Sequence, residues 1–181
     1  RLDRLITDIS NASRLEAEIT RIPTEKLDIS RFVKDIVSTY DGLEAARGVN
    51  VVLDDKTMNA GLTVRGREGP LGQVMRNLID NARSFSPENE VVKVTLEQGR
   101  NGPRTTARIL VEDNGPGIPE DKLTKIFDRF YTDRPAGTAF GNNSGLGLSI
   151  VAQIIDTHRG TVTAENRNTS GARFIVELPA A

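Results

Sequence analysis

Apolar positions at three-four spacing open the chain. Leu2, Leu5, Ile9, Ala12 and Ile19 fall on one face of residues 1–22, with Asp, Arg and Glu filling the other. This predicts an amphipathic helix of about 20 residues, roughly 30 Å long. Its apolar stripe is narrow and needs a partner. Two readings stand: a helix docked on its own domain, or one half of an intermolecular bundle. Pro23 ends the pattern. A short extended piece at 26–29 leads to Ser30, a good N-cap for a second helix over 31–47. There Phe32, Val33, Ile36, Val37 and Tyr40 form a core-facing stripe, and Gly48 stops it. Residues 49–53 and 62–64 read as strands. A third helix, over 70–85, carries a broad buried face of Leu71, Val74, Met75, Leu78, Ala82 and Phe85.

Period-two alternation then takes over. Residues 91–98 and 105–112 predict adjacent strands, with 99–103 supplying the turn between them. The second strand ends in the apolar run Ile109-Leu110-Val111 and stops at Asp113. A short helix is expected near 120–126. Residues 132–144 contain Pro, a run of small residues and Gly141-Asn142-Asn143, show no periodicity, and read as a mobile loop. Gly145-Leu146-Gly147-Leu148 opens a helix running to His158. Residues 161–166 and 172–178 close the chain as two strands joined by 167–171.

Composition narrows the classes of function. The 181 residues suffice for one domain with a sizeable core plus an appendage. Lys and Arg number 24 against 25 Asp and Glu, a net charge of −1, so no global basic field is present to hold nucleic acid or an anionic membrane. Cysteine is absent, which removes disulfides and thiolate metal sites and fits a reducing compartment. No apolar run approaches the ~18 residues of a membrane span, and no signal peptide is visible. The chain begins at Arg1 rather than Met. It reads as a portion of a longer protein, with room upstream for a membrane-bound part.

The candidate chemistry gathers in four places. Asp113-Asn114-Gly115-Pro116-Gly117-Ile118 is a tight turn at a strand end. Gly115 and Gly117 let a flat ligand approach the backbone, and an ionised Asp113 can only accept hydrogen bonds, so an exocyclic amino group such as that of adenine suits it. Ordinary turn chemistry is the plainer reading, and a calcium loop is excluded because the further acids it needs are missing. Asn77 and Asn81, four apart, share one side of the third helix. Their neutral oxygens are hard ligands suited to Mg²⁺, or they are merely exposed or capping. The glycines of Gly145-Leu146-Gly147-Leu148, opening a helix, leave N–H groups free at the positive end of a dipole, a natural phosphate cradle, although no Walker lysine follows. His158, the only histidine, closes a helix, where capping or packing explains it better than catalysis.

Taken in order, Asn77-Leu78-Ile79-Asp80-Asn81-Ala82, Asp113-Asn114-Gly115-Pro116-Gly117-Ile118, Ile126-Phe127-Asp128-Arg129-Phe130-Tyr131, Gly145-Leu146-Gly147-Leu148 and Gly171-Ala172-Arg173-Phe174 resemble five boxes of one family. These are the N, G1, F, G2 and G3 boxes of the catalytic, ATP-binding domain of bacterial sensor histidine kinases. The match covers about residues 25–179, and its order and spacing make it specific. Residues 1–22, with Ser13-Arg14-Leu15-Glu16, resemble the second helix of that family's dimerisation and phosphoacceptor domain, which leaves 25–181 as the catalytic domain. The wording around Tyr131-Thr132-Asp133-Arg134-Pro135 and Asn143-Ser144 is similar to ChvG-type envelope sensors.

The resemblance implies an α/β fold, a Bergerat-type two-layer sandwich with a mixed β-sheet packed on helices and ATP under a flexible lid. It implies ATP and Mg²⁺ as ligands. Asp113 would bind the adenine amino group, with Gly115, Gly117 and Ile118 shaping its turn. Asn81 would coordinate Mg²⁺, Asn77 would lie near the phosphates, and the N–H groups of Gly145, Leu146, Gly147 and Leu148 would cradle them. Phe127 and Phe130 would anchor the lid, and Arg129, Tyr131, Arg134 and Ser144 would join the nucleotide contacts. The implied partners are an upstream His-bearing dimerisation helix, a response regulator and a second copy in the full-length protein, with no nucleic acid. The implied location is the cytoplasmic part of an inner-membrane sensor.

Three departures from the family pattern stand out. Ser84 occupies the position of a common phosphate-contacting Lys, for which Arg83 could substitute from next door. Ala172 stands where Thr is frequent. No phosphoacceptor His box precedes the first helix, so the chain should bind ATP without phosphorylating itself. The competing function is an ATP-hydrolysing conformational switch, as in chaperone, topoisomerase and mismatch-repair relatives of this fold. Those place a Glu one turn before the metal-binding Asn as base on water. Here that position is Asn77, whose neutral amide cannot abstract a proton. A nucleotide-binding domain degenerated into a scaffold is the third reading.

Overall fold

The computed structural model describes residues 23–40, 48–57, 61–131 and 145–181. The helix expected over 1–22 and the loop expected over 132–144 lie outside the described residues, as do Arg134 and Ser144. In chain order the elements are β1 (Glu25–Asp28), α1 (Ile29–Ser38), β2 (Asn50–Asp55), β3 (Thr63–Gly66), α2 (Glu68–Phe85), β4 (Val91–Asn101) and β5 (Arg104–Glu112). Then come 3₁₀ turns at Glu120–Lys122 and Lys125–Phe127, α3 (Gly147–Thr157), β6 (Thr161–Asn166) and β7 (Ala172–Pro179).

Five strands form one mixed sheet in the order β2-β4-β5-β7-β6, with β2 parallel to β4 and the other pairs antiparallel. Strand alternation sends Val94, Val111 and Phe174, which are in register, to one face, and Leu96, Ile109 and Val176 beside them. All six are buried there, together with Leu78 and Ile79 of α2 and Ile154 and Ile155 of α3. Each such side chain contributes about 1.5–3 kcal/mol of burial. The opposite face carries Arg108 between Glu97 (2.9 Å) and Glu177 (2.8 Å), and Arg173 between Glu112 (2.7 Å) and Glu165 (2.8 Å). The result is the expected two-layer α/β sandwich. A second, two-stranded sheet of β1 and β3 joins the end of β7 through a bridge between Val64 and Ala180.

Several boundaries differ from the sequence expectations. α1 begins two residues early because Asp28, not Ser30, is its N-cap, accepting from the Arg31 N–H at 3.0 Å. Ile29 is thereby placed wholly in the core, and the Ser30 hydroxyl turns to Thr57 at 3.0 Å. The α1 helix runs to Ser38, and positions 41–47 of the longer expected helix fall outside the described residues. α2 starts at Glu68, since Pro70 in its first turn has no N–H to miss a partner. β4 continues to Asn101, and Gly102 at φ +59° makes the turn. The helix expected near 120–126 is two separate 3₁₀ turns, each closed by an i→i+3 bond such as Asp128 N–H to Lys125 C=O at 2.9 Å. Phe85, assigned to the core by its spacing, ends α2 and is 39% exposed.

Candidate functional site

β5 delivers Asp113 to the edge of the core, where it is 2% exposed. One carboxylate oxygen, Oδ1, accepts two backbone N–H groups, from Gly115 at 2.9 Å and Ala172 at 3.0 Å. The other oxygen makes no hydrogen bond among the described residues. Burial pushes the carboxyl up from its ordinary range, against the pull of those two N–H bonds and the Arg167 charge. A buried acceptor with one oxygen fixed and one unengaged is built to meet a donor from outside.

The glycines around it are obligatory on steric grounds. At Gly171, φ +86°, a Cβ would lie 2.0 Å from the Asp113 carbonyl oxygen. At Gly115 it would lie 2.7 Å from the Phe85 carbonyl oxygen. The turn is also clamped from the β6–β7 hairpin, which no local motif announced. Asn166 accepts from the Ile118 N–H and donates to its carbonyl, both at 2.7 Å. The Ser170 hydroxyl donates to the Gly115 carbonyl at 3.0 Å, and Arg167 Nη1 donates to the Asp113 carbonyl at 2.7 Å. Sequence reasoning passed over Asn166, Arg167 and Ser170, because their role depends on a hairpin some 50 residues away folding back onto the turn.

α2 runs from this turn to the start of α3. Its last residue, Phe85, abuts Gly115, and two turns earlier Asn77 Nδ2 donates to the Gly147 carbonyl at 3.1 Å. Asn77, Asn81 and Phe85 are spaced by four and lie along one row, which spans about 12 Å from cradle to carboxylate. Asn81 sits midway, half-buried, and its side-chain amide has no hydrogen bond among the described residues. At the other end α3 starts at Gly147 with Leu146 as a helical N-cap that offers no side-chain acceptor. Its first N–H groups are therefore open to a ligand. Leu146 is buried and Leu148 half-buried, which pins the helix start to the core.

The residues on either side of 132–144 meet: the Phe130 N–H donates to the Gly145 carbonyl at 3.1 Å, and Gly145 adopts φ +73°. Phe127 packs edge-on to Phe174, with centroids 6.4 Å apart. Phe130 is 47% exposed and adopts a φ of +65°. Arg129 is exposed, Tyr131 half-buried, and Gly117 and Ile118 border the turn.

Arg83 precedes Ser84, where the family commonly has a Lys. At 100° per residue it leaves the Asn77–Asn81 row and places its guanidinium 5.4 Å over the ring of Tyr40, whose hydroxyl donates to Asp80 at 3.0 Å. His158, 6% exposed, is structural: its Nδ1–H donates to the Ile154 carbonyl at 2.7 Å and its Nε2 accepts from the Arg67 N–H at 3.1 Å. It thus ties the end of α3 to the N-cap of α2.

Comparison with known proteins shows which family the chain resembles. Residues 66–181 match the family model described as histidine kinase-, DNA gyrase B- and HSP90-like ATPase. The chain is 45% identical over 192 residues to Sensor protein ChvG of Rhizobium meliloti (strain 1021), covering 99% of this chain and 32% of that protein. Full-length ShkA in complex with AMPPNP superposes with a TM-score of 0.76 at 25% identity, over 99% of this chain and 36% of that one. Histidine kinase ThkA in complex with response regulator TrrA superposes at 0.74 and 27% identity, over 99% and 48%. The chain spans about a third of the length of its ChvG relative.

Proposed function

The chain belongs to the histidine kinase-, DNA gyrase B- and HSP90-like ATPase family, and from that premise we propose that it binds ATP with Mg²⁺ as the phosphate-donating domain of a sensor histidine kinase. The observation that carries this reading is the half-satisfied carboxylate of Asp113, set about 12 Å along α2, from Phe85 back to Asn77, from the uncapped start of α3. Adenine donates its amino group to the free Asp113 oxygen. The triphosphate reaches the N–H groups at Gly147 and Leu148. The row of Asn77, Asn81 and Phe85 runs between them.

The donor set suits Mg²⁺. Asn81 offers an unengaged neutral oxygen, and Mg²⁺ keeps waters and phosphate oxygens for the rest of its shell. Among the described residues no group of three His, Cys, Asp or Glu could hold a metal by itself. Bound there, the ion would neutralise charge on the phosphates.

Transfer is favoured over hydrolysis. The Asn77 amide donates to Gly147 and has no lone pair basic enough to take a proton from water. The γ-phosphoryl passes instead to a histidine nitrogen of the upstream dimerisation helix in the longer protein. The N–P bond forms as the bond to the bridging oxygen of ADP breaks. His158 is not that acceptor, since both of its ring nitrogens are engaged and it is buried. A response regulator receives the phosphoryl next, a role supported by the likeness to ThkA in complex with TrrA. The full-length protein acts as a homodimer on the cytoplasmic side of an inner membrane. No helix among the described residues is long and apolar enough to cross one.

The test is a calorimetric titration with a non-hydrolysable ATP analogue with and without Mg²⁺, followed by incubation with radiolabelled ATP. Saturable binding strengthened by Mg²⁺ is expected, with no acid-labile label on this chain alone. Label appears on a separately supplied His-bearing helix. Absence of nucleotide binding, or label on His158, refutes the reading.

A further inference from the structure

Asp113 owes its position to more than its own strand. Of Asn166, Arg167 and Ser170, the hairpin residues that clamp the turn, Arg167 carries the charge. Its Nη1 donates both to the Asp113 carbonyl at 2.7 Å and to Asn114 Oδ1 at 2.6 Å, and its Nε lies 3.4 Å from Glu112 Oε1. Its backbone N–H closes the hairpin on Gly171 at 3.0 Å, next to the Ala172 N–H that holds the carboxylate itself. Asn114 in turn reaches Glu90 at 3.0 Å and the Val91 carbonyl at 3.1 Å, so one guanidinium links β4, β5 and the hairpin around the turn.

We propose that Arg167 is a positioning residue for base recognition: it fixes the main chain of Asp113 and Asn114 so that the free carboxylate oxygen stays aimed at the amino group of adenine. The proposal rests on the adenine assignment of Asp113 made above. Two features support it beyond distance. Removal of the guanidinium leaves a buried carbonyl and the Asn114 side chain without their donor, and the turn that carries the carboxylate is what would shift. Burial works against the charge on Asp113, the Ala172 and Gly115 N–H groups and the Arg167 cation work for it, and an ionised carboxylate is the better acceptor. Glu112, the nearest acid, is itself held by Arg173 at 2.7 Å, so the Arg167 charge is not consumed by a single partner.

A mere brace would, on removal, weaken every nucleotide alike, whereas a residue acting through Asp113 affects only ligands with the amino group. Calorimetry with ATP and with inosine triphosphate, which carries a carbonyl in place of that group, separates the two. Wild type should prefer ATP. Arg167→Gln should lose about tenfold for ATP, the worth of about one charge-assisted hydrogen bond, with inosine triphosphate unchanged within about twofold. Arg167→Lys, one bond shorter and without the fork, should lose about threefold for ATP alone, and it carries the test if Arg167→Gln fails to fold. In either variant an equal loss for both nucleotides, or no loss for ATP, overturns the proposal. A wild type that binds both nucleotides equally overturns the adenine assignment itself, and the proposal with it.

Discussion

Replacing Asp113 by Asn separates folding from recognition, because the two carboxylate oxygens have different work. Oδ1 accepts from Gly115 and Ala172 at 2.9 and 3.0 Å, and an amide oxygen in its place keeps both bonds. The reverse orientation would face an NH₂ against two backbone donors, so the amide has one choice. Its NH₂ then occupies the position of the free oxygen and points a donor at the donor of the base. Loss of a charge-assisted bond plus that clash costs about 2–4 kcal/mol, or about 30- to 900-fold in Kd.

Stability should not fall with it. The carboxyl is held above its ordinary value of 3.8 by burial. The folded chain therefore binds the proton more tightly than the unfolded one. The contribution of Asp113 to stability is full below about pH 3.8 and is lost as pH rises through the higher folded value. At neutral pH an ionised Asp113 is a cost to the apo fold that a neutral Asn avoids. Calorimetry at pH 7 should show the affinity loss, and thermal unfolding should show the variant at least as stable as wild type, with the gap closing toward pH 4. Binding within threefold of wild type would refute the adenine assignment. A variant that loses stability as well as affinity would show that the two oxygens are not divided in this way.

Asn81→Ala should weaken nucleotide binding mainly when Mg²⁺ is present, and an equal loss in EDTA would remove the metal role. Gly171→Ala should destabilise the fold by at least about 3 kcal/mol in urea titration, since φ +86° and a Cβ 2.0 Å from the Asp113 carbonyl oxygen both oppose it; a near-neutral result would mean the hairpin gives way freely. His158→Gln should flatten the acid side of the stability profile. Burial holds His158 below its ordinary 6.5, so below that pH the unfolded chain takes up the proton first and wild type loses stability as pH falls through the folded value. Parallel profiles for the two proteins in denaturant melts from pH 7.5 to 5 would refute the buried-neutral reading of His158.

What the sequence made legible and what it hid divide along one physical line. Strands β4 to β7 and the face of α2 were readable because apolar periodicity records which side of an element is buried, and the core agrees. The Asp113 turn and the glycines before α3 were readable because a backbone that must pass where a Cβ cannot go leaves Gly in the sequence. Arg83 shows where such reasoning stops. Adjacency in sequence suggested that it could replace a Lys at position 84, but it could not say that on a helix the neighbouring position points about 100° away and that the guanidinium lies over Tyr40.

Arg167 marks the same limit from the other direction. Nothing in Asn166-Arg167-Asn168 distinguishes it from an ordinary polar hairpin end, since its partners, Asp113 and Asn114, are more than 50 residues earlier and are reached only through the β5–β7 register. Glycine constraints are written locally and can be read locally. A polar clamp is written in the pairing of distant strands, and its chemistry becomes visible only when those strands are side by side. The hairpin therefore reaches the Asp113 turn in two ways: through the Ala172 N–H, which fixes one carboxylate oxygen, and through the Arg167 guanidinium, which no box in the sequence describes and which fixes the chain bearing it.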